Sequence, residues 1–281
     1  MNQNPTGDDW ETTRGEKWLA QMAGMEAMLA PVDEPLIAAL RLAAPLRVAE
    51  IGCGGGATAL EILRRAPAGS VVHGFDISPT LIESARGRAP REEGAIAFRV
   101  ADMATAALPE APYDRLVSRF GMLFFEDQLA AFSNLLSWLA PGGRFAFAAW
   151  GPHAENPWMT EVRDATAEAV DLPAPDPDGP GGFRYADADK FLRLLERAGF
   201  AQLAVSDWRG SFSIGGRLPA AEAASFALAS FASFGELLAE AGEEALQDAR
   251  RRLTARFAPH EQDGAVRLGA CVHIVTGARP R

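Results

Sequence analysis

The feature that most constrains the fold is a short apolar segment that runs directly into a glycine-rich turn. Leu46 to Ile51 is short and contains β-branched Val48 and Ile51, which is typical of a buried parallel strand. Gly52-Cys53-Gly54-Gly55-Gly56 follows, and a helical pattern begins near Ala57. Glycines adopt positive φ and let a ligand approach the backbone, while the helix start offers free N–H groups. The pattern therefore predicts a nucleotide-like ligand at the carboxyl end of a parallel sheet.

Two acids accompany this turn. Glu50 stands two residues before the first glycine, where a carboxylate would crowd a pyrophosphate but can accept hydrogen bonds from an ammonium group. Asp76 ends a second strand pattern, 22 residues after Gly54. This spacing favours a carboxylate that holds a ribose diol, and the alternative is a capping acid on a solvated loop. Ser78 and Pro79 then predict the N-cap and the first residue of the next helix.

The order of motifs from residue 46 to residue 150 resembles the class I S-adenosylmethionine-dependent methyltransferases. Their first motif, acid-x-Gly-x-Gly-x-Gly, is matched in full by Glu50 to Gly56. Ile96–Met103 resembles the family's third strand, Tyr113–Phe125 its fourth strand and the following loop, and Leu139–Trp150 its helix end, Pro-Gly-Gly stop and fifth strand. The resemblance implies an α/β fold: a Rossmann-like, seven-stranded, mostly parallel sheet with an antiparallel last strand, helices on both faces and a helical cap.

The resemblance also implies S-adenosyl-L-methionine as the cofactor. The glycine loop would carry its methionine part, Asp76 its ribose, and Asp102 its adenine amine, with Met103 against the ring. The predicted cofactor-binding residues are Glu50, Gly52, Cys53, Gly54, Gly56, Asp76, Ile77, Ser78, Asp102, Met103, Ser118 and Phe120. The predicted substrate pocket comprises Trp18, Met22, Met122, Phe124 and Trp150, with plain core packing as the alternative.

An oxygen, nitrogen or carbon acceptor can require a base. His153 follows the fifth strand at the carboxyl edge of the predicted sheet, so it is the predicted catalytic base, with a merely solvated loop histidine as the alternative. Glu155 and Tyr185 are further candidates, while His260 and His273 are expected to be structural. No metal site is predicted, because no His/Cys/Asp cluster with metal-ligand spacing is visible.

Composition agrees with a soluble enzyme of the cytoplasm, and the small-molecule substrate is implied by the resemblance. The 281-residue chain has 48% hydrophobic residues and a formal charge of −10, which argues against nucleic acid as a partner. No stretch approaches the roughly 18 apolar residues of a membrane span, and Met1 to Asp9 is unlike a signal peptide. The two cysteines, Cys53 and Cys271, fit a reducing compartment without a disulfide framework.

The chain is expected to divide into a core and two accessory pieces. Residues 1–44 form an N-terminal helical cover, residues 45–216 and 266–281 the cofactor-binding core, and residues 217–265 a helical cap insertion. The sixth strand is predicted at Ala201–Trp208 and the last near Ala270–Gly277. Residues 151–182, rich in Pro, Gly and Asp, are predicted to be a mobile surface loop. A homodimer face is the competing interpretation of the cap.

Three function classes follow. The first is methyl transfer to an oxygen, nitrogen or carbon of a small molecule, such as a natural product or a quinone-like metabolite. The second is a non-methylating S-adenosylmethionine-binding relative, a cyclase or scaffold, whose binding motifs would look the same. The third is a nicotinamide-dependent oxidoreductase, against which Glu50 and the glycine spacing argue.

Overall fold

A seven-stranded sheet forms the centre of the protein. The computed structural model describes residues 10–11, 13–90, 95–108, 111–172 and 179–281. The strands are β1 (Arg47–Ile51), β2 (Val71–Asp76), β3 (Ile96–Val100), β4 (Tyr113–Arg119), β5 (Leu139–Trp150), β6 (Ala201–Ser213) and β8 (Ala265–Ala278), with a two-residue β7 (Glu261–Gln262) that pairs only with β8. Their order is β3-β2-β1-β4-β5-β8-β6, and β8 is antiparallel to both of its neighbours. The predicted Rossmann-like fold with an antiparallel last strand is confirmed.

Helices cover the sheet and extend beyond it. They are α1 (Thr13–Leu29), α2 (Asp33–Leu40), α3 (Ala57–Arg65), α4 (Pro79–Arg88), α5 (Gln128–Trp138), α6 (Pro157–Ala167), α7 (Ala188–Arg197), α8 (Ala220–Ser230), α9 (Ala232–Ala241) and α10 (Glu243–Phe257). None of the helices in the described part of the chain has the length and apolar character that crossing a bilayer requires.

Strand β1 determines where a ligand can bind. Val48, Ala49 and Ile51 are almost fully buried, as expected of a strand that is covered on both faces. On one side β1 pairs in parallel with β2, and on the other with β4. The chain order reverses between these two neighbours, so a crevice opens at the carboxyl ends of the strands.

Three elements differ from the sequence-based expectation. The stretch 151–182 is not only a loop, because α6 lies within it and buries Trp158, whose side chain is 1% exposed. Strands β6 and β8 are longer than predicted because they pair antiparallel from Ala201↔Ala278 to Ser213↔Arg267. Residues 1–9 and 173–178, which carry the leader prediction and part of the loop prediction, lie outside the described residues.

The accessory helices pack tightly against one another. Between α1 and α8, a Cβ added at Gly24 would lie 2.4 Å from the ring of Phe226. Within the insertion, Leu253 and Phe257 of α10 are completely buried, so these helices share the hydrophobic core with the sheet. The crevice is therefore bounded by α1 and by the helices after β6.

Candidate functional site

A cavity of about 710 Å³ is lined by the carboxyl ends of four strands. Glu50 and Ile51 come from β1, Asp76 from β2, Phe120 from the end of β4, and Trp150 from β5. Helix α1 and the junction between α8 and α9 supply the remaining walls. The cavity therefore lies where the reversal of strand order places a ligand crevice.

The glycine loop forms a backbone cradle on one side of this cavity. Gly52 and Gly54 have φ values of 65° and 53°, a region in which side chains are strained. The loop after β4 approaches so closely that a Cβ at Gly121 would lie 2.6 Å from the Gly52 Cα. Only glycine fits at these two contact points, because any side chain would push the two loops apart.

Glu50 is a buried acid that faces the cavity. Its side chain is 2% exposed and accepts a hydrogen bond from the Ala59 N–H in the first turn of α3, where the helix dipole favours a negative charge. Its Oε2 atom is buried and has no hydrogen-bond partner. Burial raises the pKa of Glu50 well above its ordinary value, although the nearby Arg119 guanidinium opposes this. A buried carboxylate oxygen without a partner is suited to accept a hydrogen bond from a cationic donor.

A second carboxylate and one guanidinium complete the charge cluster around Glu50. Asp33, the first residue of α2, pairs with Arg119 (Oδ2 to Nη1, 3.0 Å) and accepts a hydrogen bond from Thr58 Oγ1 at 2.9 Å. Burial raises the pKa of Asp33, and Arg119 lowers it. Two buried carboxylates thus face one guanidinium, so the cluster favours a ligand that brings a positive charge.

Asp76 joins the glycine loop to the end of β2. Its Oδ2 accepts a hydrogen bond from the Gly54 N–H at 2.8 Å, and its Oδ1 accepts one from the Ser78 N–H at 2.9 Å. Burial raises its pKa, while these backbone donors lower it. A carboxylate has about four acceptor positions, so Asp76 can accept a further hydrogen bond from a ligand hydroxyl while it orders the loop.

Asp102 organises the turn that follows β3. Its two oxygens accept hydrogen bonds from the Ala104 N–H (2.9 Å) and from Thr105 Oγ1 (2.8 Å). Met103 is 4% exposed, and its carbonyl accepts a hydrogen bond from Asn134 Nδ2 at 3.2 Å. The turn is therefore fixed in place, and both Asp102 and Met103 line the cavity.

The other end of the cavity is aromatic. Phe120 has a left-handed backbone (φ 66°), and its ring stacks on Trp150 with centroids 4.1 Å apart and planes 9° apart. A bulky residue in this conformation is held there by its surroundings, here by the stack and by the bond from its N–H to the Ala148 carbonyl. The Trp158 ring extends this aromatic wall of the cavity, with its centroid 4.7 Å from that of Trp150.

His153 lies at the edge of this aromatic wall. Its ring makes an edge contact with Phe183 (4.9 Å between centroids) and lines the cavity. Burial lowers its pKa, and the positive charge of Arg163 lowers it further. The imidazole is therefore neutral near pH 7 and can accept a proton.

Most of the predicted site residues lie together around this cavity. Those that line it are Trp18, Glu50, Gly52, Cys53, Gly54, Asp76, Ile77, Asp102, Met103, Phe120, Phe124, Trp150 and His153. The Cys53 thiol is buried, and burial raises its pKa well above the ordinary value, so the thiol stays neutral.

Five predicted residues are not part of the cavity lining and serve the surrounding structure. Gly56 begins α3, where a Cβ would lie 2.7 Å from the Phe98 ring. Ser78 caps α4 by accepting a hydrogen bond from the Leu81 N–H at 3.5 Å. Ser118 Oγ donates to the Ile51 carbonyl at 2.8 Å, so it joins β4 to β1.

Two of the three predicted methionines, Met22 and Met122, are also absent from the lining. Met22 lies against α4, with its Sδ atom 3.9 Å from Ser84 Oγ. Met122 is completely buried, and its carbonyl accepts a hydrogen bond from the Tyr185 hydroxyl at 3.4 Å.

A His/Cys/Asp cluster that the sequence did not indicate occurs on strands β6 and β8. Ligand-type atoms of Asp207, Cys271 and His273 lie within 4.8 Å of one another. Asp207 already contacts His273 Nδ1 at 2.6 Å and the Arg209 guanidinium at 3.0 Å. Antiparallel pairing places 207 opposite 273, so the spacing along the sequence did not reveal this group. Since Arg209 supplies the counter-charge, the group is best described as an ion-pair network.

Among the residues that sequence reasoning missed, Arg119, Trp10 and Ser230 line the cavity, and Asp33 pairs with Arg119 outside the lining. The pairing of Asp33 with Arg119 joins residues 86 positions apart, and no local pattern predicts it. Arg119 did carry a signal, because it is a cation at the carboxyl end of β4, the edge at which a parallel sheet binds ligands. Trp10 and Ser230 lie in accessory segments, where the sequence gives no register relative to the core.

The comparisons agree with this geometry. Residues 48–143 match the family model for a methyltransferase domain. Aklanonic acid methyltransferase DauC of Streptomyces sp. (strain C5) is 35% identical over 103 residues, which are 36% of this chain and 46% of the relative. Trans-aconitate 2-methyltransferase of Methylobacterium radiotolerans is 37% identical over 111 residues, 40% of each chain. The chain thus spans less than half the length of these curated relatives.

The fold extends well beyond the matched residues. The crystal structure of the [4+2]-cyclase SpnF has 19% sequence identity and a TM-score of 0.54, covering 89% of this chain and 80% of that one. Residues 48–143 thus form a domain of the methyltransferase family, and the surrounding sheet and helices share its Rossmann-like fold. S-adenosylmethionine is the cofactor of this family, and the residues fit it, because the unpaired Glu50 Oε2 and the glycine cradle suit an amino-acid ammonium.

Proposed function

We propose that this protein transfers the methyl group of S-adenosylmethionine to an oxygen, nitrogen or carbon atom of a small molecule, such as a natural product or a quinone-like metabolite. The observation that carries the proposal is the buried, unpaired Glu50 Oε2 beside a glycine cradle in one large cavity. The two named relatives act on different compounds, so neither substrate is transferred to this chain.

The chain's part in the reaction is to bind and orient. The cofactor supplies an activated methyl group, so catalysis mainly requires that the acceptor be aligned with it and that water be excluded. Glu50 and the Gly52–Gly54 cradle hold the methionine end in this proposal, and Asp76 holds the ribose. Asp102 and Met103 hold the adenine. The Phe120–Trp150 stack supplies an apolar wall for the acceptor.

His153 is the proposed base for an acceptor that must lose a proton. It lines the cavity at the same aromatic wall, and its lowered pKa keeps the ring unprotonated near neutral pH. A neutral ring nitrogen can accept the proton of a substrate hydroxyl or amine while the oxygen or nitrogen of that group bonds to the methyl carbon. Changing His153 to Gln therefore tests the role without altering the cofactor side of the cavity.

The accessory helices are proposed to close the substrate end. Arg14 and Lys17 of α1 both line the cavity and pair with Glu236 of α9, at 3.6 and 2.5 Å. The N-terminal cover (residues 1–44) and the cap (residues 217–265) are thus joined across the same space. This enclosure favours a small molecule over nucleic acid, a membrane or another macromolecule as the partner.

Two measurements test the proposal. Calorimetry with S-adenosylmethionine and with NAD should show binding only of the former, because a pyrophosphate would meet the Glu50 carboxylate. Incubation with a methyl-labelled cofactor and a metabolite extract should then label a small molecule.

Binding without any labelled product would instead support the non-methylating alternative. The fold does not decide this question, because the cyclase SpnF shares it.

A further inference from the structure

The cavity lining contains two buried hydrogen-bond donors without partners. The indole Nε1 of Trp10 and the hydroxyl Oγ of Ser230 are both shielded from solvent and bond to nothing. Both residues line the cavity. Buried polar groups nearly always have partners, so each exception in a native structure requires an explanation. Neither residue belongs to the strand ends that hold the cofactor in the proposed function.

The aromatic rings around these donors form two separate groups. Trp10 contacts Trp18 (6.1 Å between centroids) and Phe124 (5.1 Å), which we call the first wall. The second wall consists of the rings Phe120, Trp150, Trp158, Phe183 and Phe231, linked by contacts of 4.1 to 6.4 Å. Both walls line the same cavity. No ring contact joins them within the described ranges, so the space between them is open to a ligand.

Each wall carries one of the two donors. Trp10 is itself part of the first wall, and Ser230 directly precedes Phe231 of the second wall. Aromatic walls favour a flat, ring-bearing ligand, because stacked and edge contacts add to the burial of apolar area. An indole N–H is only a donor, so its partner must be an acceptor such as a carbonyl or phenolic oxygen.

We infer that Trp10 and Ser230 are specificity-determining residues that each donate a hydrogen bond to an oxygen atom of a flat, ring-bearing substrate bound between the two aromatic walls. The inference rests on the proposed methyl transfer and names its substrate class. Both donors lack partners in the free protein, so a substrate that offers acceptors of its own gains from binding against them. A ring compound without oxygen would leave both donors unpaired and bind more weakly.

The test uses the full-length protein saturated with S-adenosylhomocysteine and two small probes. The probes are 2-hydroxy-1,4-naphthoquinone, which carries ring oxygens, and naphthalene, which does not. Trp10→Phe removes the indole N–H and keeps a ring, and Ser230→Ala removes only the hydroxyl. The matched controls are Trp208→Phe, whose ring stacks on Phe212 and is not part of the lining, and Ser225→Ala, whose hydroxyl bonds to Ala221 within the same helix.

We expect each test variant to weaken naphthoquinone binding by about five- to thirtyfold, the loss of one hydrogen bond to a buried donor. Naphthalene affinity should not fall, because the variants no longer leave that donor unpaired against the probe, and both controls should bind the two probes as the wild type does. Equal losses for both probes would show a packing role only and overturn the inference, as would unchanged naphthoquinone affinity or failure of the wild type to bind the naphthoquinone.

Calorimetry with S-adenosylhomocysteine separates this outcome from failure of the proposed function. If the wild type does not bind S-adenosylhomocysteine, the proposed function itself fails. If it binds and both variants keep that affinity, a negative result with the probes refutes only the roles of Trp10 and Ser230.

Discussion

Replacing Glu50 with Gln is expected to stabilise the cofactor-free protein and weaken cofactor binding at the same time. The Glu50 carboxylate is buried, and one of its oxygens has no partner. Its pKa is raised well above the ordinary value, chiefly by burial. Ionised Glu50 therefore lowers the stability of the free protein, and a cationic ligand removes that cost. A neutral amide of the same shape keeps the acceptor for the Ala59 N–H but not the charge.

The sign and size of the effect follow from this environment. When folding raises the pKa of an acid, its contribution to the free energy of unfolding is greatest below the pKa of the unfolded chain. That contribution is lost as the pH rises through the pKa of the folded protein. The advantage of Glu50→Gln should thus be small near pH 4 and grow toward pH 7 and above. An uncompensated buried group costs about 1–3 kcal/mol, and each kcal/mol corresponds to roughly 2–4 °C in Tm for a chain of this size.

The affinity change should have the opposite sign. A hydrogen bond to a charged group contributes about 1.5–3 kcal/mol, so S-adenosylmethionine should bind roughly 10- to 150-fold more weakly to the variant. Thermal melting at several pH values and calorimetry measure the two effects on the same samples.

The matched control is Glu61→Gln, on the surface of α3, where bonds to Arg64 hold the pKa of Glu61 at about 2. An exposed pair contributes at most about 1 kcal/mol, so this control should melt no higher than the wild type and keep its cofactor affinity. A Glu50→Gln protein that melts lower than the wild type at pH 7 and binds the cofactor equally well would refute the reasoning.

Three further substitutions test other parts of the site. Asp76→Ala should weaken S-adenosylmethionine binding by about 1–3 kcal/mol and also lower Tm, because the Gly54 and Ser78 N–H groups lose their acceptor; unchanged affinity in calorimetry would remove Asp76 from the site. His153→Gln should reduce turnover without changing cofactor affinity and should abolish the acidic limb of the pH–rate profile, which we expect below the ordinary histidine pKa of about 6.5; His260→Gln serves as the control, and a profile with its acidic limb intact would exclude His153 as the base. Gly121→Ala should lower cofactor affinity by separating the two loops that meet at 2.6 Å, with Gly87→Ala, where the added Cβ meets nothing, as the control; an unaltered affinity would show that the loop contact is not needed.

The parts of the site that the sequence could predict are those set by local structure. Glu50 and Asp76 sit at the ends of β1 and β2, and a strand followed by a tight turn fixes their positions with few residues. Parallel pairing then brings the two strand ends to the same edge. The succession of strands along the chain could be predicted in the same way, because each strand is an apolar run followed by residues that favour a turn.

The misplaced residues show where local patterns fail. Ser118 and Arg119 are neighbours on β4, and because strand side chains alternate, only Arg119 faces the cavity. On α1, Trp18 and Met25 line the cavity while Met22 faces α4, because the composition of a helix does not reveal which face meets which neighbour. A shift of one position in a strand, or of a partial turn in a helix, is enough to exchange a site residue for a packing residue.

The distribution of charge explains why the site needs contributions from distant segments. Glu50 alone would be a costly buried anion, and Arg119 reduces that cost only because Asp33 of α2 fixes its position. One guanidinium shared by two carboxylates leaves the cluster short of positive charge, and a cofactor with an ammonium group supplies it. A second buried cation would stabilise the free protein and remove the preference for that ligand. The excess of negative charge among Glu50, Asp33 and Arg119 therefore lowers the stability of the free protein and raises its affinity for a cofactor with an ammonium group.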